Sequence, residues 1–193
     1  MRRGERLWRP HPSPCSRHNP VSPLATHMDR LWSPWRYTYV SKADPADACI
    51  FCVKPAENRD AENYIIHRGR KNFLLLNLYP YTTGHLLIAP YEHTATLEAA
   101  AEETLAEMMS LARVAGRCLT AIYKPRGLNV GMNVGECAGA GVAGHIHMHV
   151  LPRWPADSNF MTTVGETRIL PETLEATYQK LMAAFQGDGS TRP

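Results

Sequence analysis

The chain has 193 residues, 44% of them hydrophobic and 20% charged, with a formal charge of +3. That is one globular domain's worth, or at most two very small ones. So small a charge argues against bulk nucleic acid as a partner, although a small phosphorylated ligand needs only a local site, and no run of about 18 apolar residues is present to cross a membrane.

Residues 1–27 are rich in Pro, Arg, His and Ser and lack the apolar centre of a secretory signal. They are expected to form a disordered extension, with Met28 a candidate second start. A single domain is expected over 28–185, followed by a frayed tail over 186–193. Five cysteines make an odd count with no regular framework, which favours a reducing compartment and a cytoplasmic location. Only Cys49 and Cys52 are close together, as CxxC, a spacing shared by zinc sites and redox pairs.

The apolar runs NFLLLNL (72–78) and GHLLIAP (84–90), separated by YPYTTG, read as a hairpin pair. Leu97, Ala101, Leu105, Met108, Ala112, Ala115, Leu119 and Ile122 then recur at steps of three and four, which is one face of a long helix stopped by Pro125 and Gly127. LNVGMNV (128–134) alternates as a strand should. It leads through the glycine-rich loop GECAGAGVAG (135–144) into GHIHMHVLPRW. Pro171 and ETLEATYQKLMAAF predict a C-terminal helix. The fold class is therefore α+β: a mostly antiparallel sheet with one long helix and a C-terminal helix.

The stretch 144–154 places His145, His147 and His149 at every second position. In a strand these side chains share one face, roughly 6.7 Å apart, while Ile146, Met148 and Val150 share the other and can pack on the long helix. Neutral imidazole can be a nucleophile, a proton carrier or a metal ligand. A glycine-rich loop beside such a row offers converging backbone N–H groups for an anion, those of Gly139 and Gly141 among them.

HIHMHVL has the form His-x-His-x-His-x-x with x apolar, and so resembles the histidine-triad family of nucleotide hydrolases and transferases. LWSPWRYTYV, CIFC, AGAGVAGHIHMHVLPRW and DSNFM resemble the branch that holds bacterial diadenosine tetraphosphate phosphorylases. The resemblance implies a homodimer that attacks a nucleotide α-phosphate through His147, forming a covalent nucleotidyl-histidine, with His149 bonding phosphate oxygens and assisting the leaving group. It further implies ribose contact at Asn77, an apolar wall of the base pocket at Phe51, a phosphate-contacting amide at Asn133 and a fourth histidine beside the triad at His85. Cys49, Cys52, His93 and His145 match the zinc ligands of zinc-binding members, a structural site with four protein ligands.

Inorganic phosphate as acceptor would make a phosphorylase, and water a hydrolase of dinucleoside polyphosphates or nucleoside phosphoramidates. A nucleotide-binding sensor without turnover, or a redox or metal-handling protein built on CxxC, are the other classes. Two features narrow the reading. Residues 138–144 carry no polar side chain, which leaves phosphate to backbone donors, and His149 in place of Gln argues against the hexose-1-phosphate uridylyltransferases.

Overall fold

The computed structural model describes residues 49–155, 157 and 170–188. The expected extension 1–27, the LWSPWRYTYV segment and most of DSNFM lie outside them. Along the chain run α1 (Ile50–Ala56), β1 (Ile65–Arg68), β2 (Asn72–Leu76), β3 (Leu86–Pro90), α2 (Glu102–Tyr123), β4 (Gly127–Met132), a 3-10 turn (Glu136–Ala138), β5 (Met148–Arg153) and α3 (Leu174–Gly187). The five strands form one antiparallel sheet in the order β1-β2-β3-β5-β4. The class is α+β, as expected, with one short helix more than the two foreseen.

Both hairpin strands are buried at every residue, which is why they read as continuous apolar runs rather than alternating ones. Leu74, Leu76, Leu86 and Ile88 face a core shared with α2 and α3, including Met108, Leu119 and Leu181. Phe73, Leu75, Leu87 and Ala89 face the opposite side, where Phe51 of α1 covers them. Each sheet face thus has its own apolar layer, and that explains how so short a helix as α1 comes to be fixed.

The connector between β2 and β3 is held close to α2. Gly84 has φ +81°, and a Cβ there would stand 2.9 Å from Leu119 Cδ2. Thr82 Oγ1 donates to the Pro152 carbonyl at 3.2 Å, which pins the connector to β5.

Several expectations shift at their boundaries, and β4 covers Gly127–Met132 rather than 128–134. The helical face was counted from Leu97, but α2 starts at Glu102 and Leu97 is exposed. Thr96 Oγ1 accepts from the Ala99 N–H, and Ala101 is extended, so residues 96–101 form a separate turn. At the far end the left-handed Lys124 ends the helix one residue before Pro125. The terminal helix runs on to Gly187, capped by Thr173, whose side chain accepts from the Ala176 N–H.

Candidate active site and metal centre

The regular ladder of β5 begins only at Met148, opposite Ile88 of β3 and Met132 of β4. His145, Ile146 and His147 precede it, yet the alternation expected of a strand persists. Ile146, Met148 and Val150 lie in the core against α2. His149 is paired across the ladder with Leu87 of β3, and directly opposed residues share a face. The imidazoles therefore lie on the Phe51 side, and the Phe51 ring sits 4.9 Å from His147 and 5.3 Å from His145. Phe51 is itself 1% exposed.

The partners of each ring fix its tautomer. His147 Nδ1 lies 2.9 Å from the His145 carbonyl oxygen. A carbonyl can only accept, so Nδ1 carries the proton and Nε2 keeps its lone pair. Burial holds His147 below the usual histidine range, against the opposing pull of that carbonyl. The result is a neutral imidazole with an unprotonated Nε2, the form a nucleophile needs.

A second chain of bonds sets His149. Asn77 Nδ2 and the Tyr81 N–H both approach His85 Nδ1, at 3.3 and 3.1 Å. Two donors make Nδ1 an acceptor, so the His85 proton is on Nε2, which donates to His149 Nδ1 at 2.9 Å. His149 then carries its own proton on Nε2. Burial, followed by the neighbouring imidazoles, pushes His85 down to about 3, and the same causes take His149 to about 4. Near neutral pH both rings are uncharged hydrogen-bond donors.

On the other side of His147, Cys49 Sγ stands 3.3 Å from His145 Nδ1, Cys52 Sγ 3.7 Å from the same nitrogen, and Cys52 Sγ 3.4 Å from His93 Nδ1. The four donor atoms lie within 4.8 Å of one another. Donors around a tetrahedral zinc ion are roughly 3.4–3.8 Å apart, given Zn–S of about 2.3 Å and Zn–N of about 2.0–2.1 Å. His145 Nε2 donates to the Pro90 carbonyl at 2.9 Å, which leaves Nδ1 unprotonated toward the thiols. Partial burial and the adjacent Cys49 raise the Cys52 thiol, and a bound cation would reverse that by favouring thiolates. These residues can therefore hold a metal ion. Cys49 sits at the N-cap of α1 beside Cys52, but no βαβ unit surrounds the pair among the described residues, and the imidazoles of His93 and His145 complete a set of metal ligands around it.

The loop before the histidines is shaped by Gly135 and Gly139, at φ +83° and +82°. Asn133 Nδ2 donates to the Gly139 carbonyl at 3.3 Å, and the Gly139 N–H donates to Glu136 at 2.8 Å. Gly139 and Asn133 thus close the loop on itself. Among the described residues, the backbone N–H groups of Gly141, Val142, Ala143 and Gly144 have no hydrogen-bond partner, which leaves donors available beside the row. Asn77, expected at the ribose, is engaged internally: its Nδ2 meets His85, and its Oδ1 accepts from the Tyr79 N–H at 3.0 Å.

Sequence reasoning missed Tyr81. Its ring lies parallel to His149 at 6.0 Å and tilted over His85 at 4.7 Å. The only signal was its place in YPYTTG, four residues before His85, where a turn brings a backbone N–H back onto a side chain.

A HIT domain model matches residues 58–156. The chain is 35% identical over 161 residues to the AP-4-A phosphorylase of Mycobacterium tuberculosis, spanning 80% of this chain and 83% of that protein. Among solved structures it resembles a Zn-bound histidine triad family protein from Mycobacterium smegmatis, with a TM-score of 0.62 at 29% identity, covering 75% of this chain and 98% of the other. A hypothetical histidine triad nucleotide-binding protein from Sulfolobus tokodaii follows, with a TM-score of 0.57 at 27% identity, over 72% and 93% of the two chains.

Proposed function

The chain belongs to the HIT-domain family of enzymes, and from that premise we propose that it cleaves dinucleoside polyphosphates of the diadenosine tetraphosphate type, passing a nucleotidyl group through His147 to inorganic phosphate. The observation that carries this reading is the His147 Nδ1–H bond to the His145 carbonyl, because it leaves Nε2 as the reactive atom. The likeness to a phosphorylase over four-fifths of the chain supports the choice of substrate and acceptor.

In the first step His147 Nε2 forms a bond to the α-phosphorus as the bond to the bridging oxygen breaks, and ATP departs. The His149 Nε2–H bonds that oxygen and stabilises the charge developing on it. In the second step an oxygen of inorganic phosphate attacks the same phosphorus, the P–N bond breaks, and ADP leaves. Backbone N–H groups of 141–144 are the donors for non-bridging oxygens, charge stabilisation of the kind that usually contributes most to such a reaction. Asn133 and Gly139 hold that loop in shape. Asn77 reaches the ribose only by loosening its hold on His85, and Phe51 forms the apolar floor beneath the rings.

Zinc is the metal we assign to Cys49, Cys52, His93 and His145. Bound there, it would neutralise the thiolates and fasten α1 to the histidine segment, with no open position for substrate. The exposed edge strand β4, with Val130 47% and Leu128 37% exposed, supports a homodimer formed by strand addition. The test is product analysis of diadenosine tetraphosphate with and without phosphate. ATP plus ADP, appearing only with phosphate, is expected. AMP formed in its absence would replace phosphorolysis by hydrolysis, and no turnover at all would overturn the proposal.

A further inference from the structure

From the contacts of the β2–β3 connector, we infer that Tyr81 is a positioning residue that sets both the tautomer and the ring plane of His149. The inference rests on the proposed two-step transfer and adds a residue to it. Two separate contacts from one residue converge on the same pair of imidazoles.

Through its backbone, Tyr81 donates to His85 Nδ1 at 3.1 Å. That forces the His85 proton onto Nε2, and the 2.9 Å bond to His149 Nδ1 forces the His149 proton onto its outer nitrogen. Through its ring, Tyr81 lies nearly parallel to His149, with 15° between planes and 6.0 Å between centroids, and 4.7 Å from His85. A flip of either imidazole would place a C–H where these hydrogen bonds run, and the half-buried aromatic ring beside them narrows the room for one. The connector that carries Tyr81 is itself immobilised by the Thr82 bond to Pro152 and by the close approach of Gly84 to Leu119.

The chemistry gives a specific readout. A proton or hydrogen bond delivered to the leaving oxygen matters in proportion to the basicity of that oxygen. Loss of Tyr81 positioning should therefore slow substrates with poor leaving groups and spare those with good ones.

Tyr81→Ala removes the ring but keeps the N–H, and Tyr81→Phe keeps both. Each would be compared with wild type on diadenosine tetraphosphate and on an aryl ester of AMP whose nitrophenolate leaves without protonation. For Tyr81→Ala, kcat on the polyphosphate should fall about tenfold with KM within about twofold, and kcat on the aryl ester should fall less than about twofold. Tyr81→Phe, which keeps the ring and the N–H, should hold the ratio of the two rates at its wild-type value. Imidazole 15N shifts should report the Nε2–H tautomer of His149 in both variants, since both keep the N–H, and added ring mobility of His149 in the alanine variant alone, where the aromatic contact is lost. Equal losses on both substrates, or unaltered mobility of the His149 ring, would overturn the inference. His147→Ala is run alongside: if it abolishes turnover while Tyr81→Ala behaves as wild type, the positioning role fails and the transfer reading stands. If His147→Ala retains full activity, the transfer reading itself fails.

Discussion

The imidazole of His147 is locked by the chain's own backbone: its Nδ1–H donates to the carbonyl of His145, two residues earlier, at 2.9 Å. No side chain is needed to choose the tautomer. The first prediction follows from this economy. His147→Ala should lower turnover by at least about 10³-fold, as expected for removal of a nucleophile, without loss of nucleotide binding. Mass spectrometry of quenched wild type should find a nucleotidyl adduct on His147 that the variant lacks. A variant that turns over at the wild-type rate would dismiss the nucleophile.

Metal removal should act on stability. Because a site with four protein ligands contributes its binding energy to folding, Cys52→Ser or a strong chelator should cost about 2–4 kcal/mol. For a chain of this size that is a fall of roughly 5–15 °C in melting midpoint. Zinc content by mass spectrometry should drop from near one per chain toward zero in Cys52→Ser and His93→Ala alike. An unaltered midpoint in a zinc-free preparation would argue against a structural metal.

Acid should destabilise the fold through His85 and His149. Both are depressed in the folded protein, to about 3 and about 4, from values near 6.5 in the unfolded chain. Below about pH 6.5 the unfolded chain binds more protons. The stability contributed by these neutral rings is therefore complete above that pH and is lost as pH falls through about 4 and then about 3. Each ring adds at most about 1.4 kcal/mol per pH unit to the slope. Denaturation midpoints from pH 7 to 4 should fall less steeply in His149→Asn than in wild type, and equal slopes would refute the assignment.

Gly84→Ala should be costly for its size. A Cβ at φ +81° is strained and would meet Leu119 Cδ2 at 2.9 Å, so a loss of about 1–3 kcal/mol is expected in urea denaturation. Because the same connector carries Tyr81 and leads into His85, turnover should fall as well.

The homodimer proposal has its own check. Val130→Lys places a charge on the exposed edge strand β4, where natural edges use lysine to resist pairing. Sedimentation should show the wild type as a dimer and Val130→Lys as a monomer at the same concentration. A variant that remains dimeric would move the contact elsewhere.

Much of this was legible in the sequence because two periodicities carry it. The steps from Leu105 to Ile122 mark α2, and the alternation His-Ile-His-Met-His-Val assigns each side chain to its face. The metal ligands are legible only through resemblance, since CxxC alone does not choose between zinc and redox chemistry. What the sequence hid depended on short elements and backbone partners. β1 is four residues, Ile65–Arg68, too short for a period to show, and α1 contains Pro55 within a single pair of turns. That Gly139 spends its N–H on Glu136, or that Asn77 grips His85, depends on where a loop closes, which no local pattern records.

The β5 ladder starts late, at Met148, which leaves the His145 carbonyl outside it as an acceptor for the His147 ring. Had pairing with a neighbouring strand begun three residues earlier, the oxygen that anchors His147 would compete with an inter-strand partner, and the ring would be freer to rotate. On the proposed mechanism, lengthening β5 toward its N-terminus, however stabilising, should blunt the reaction.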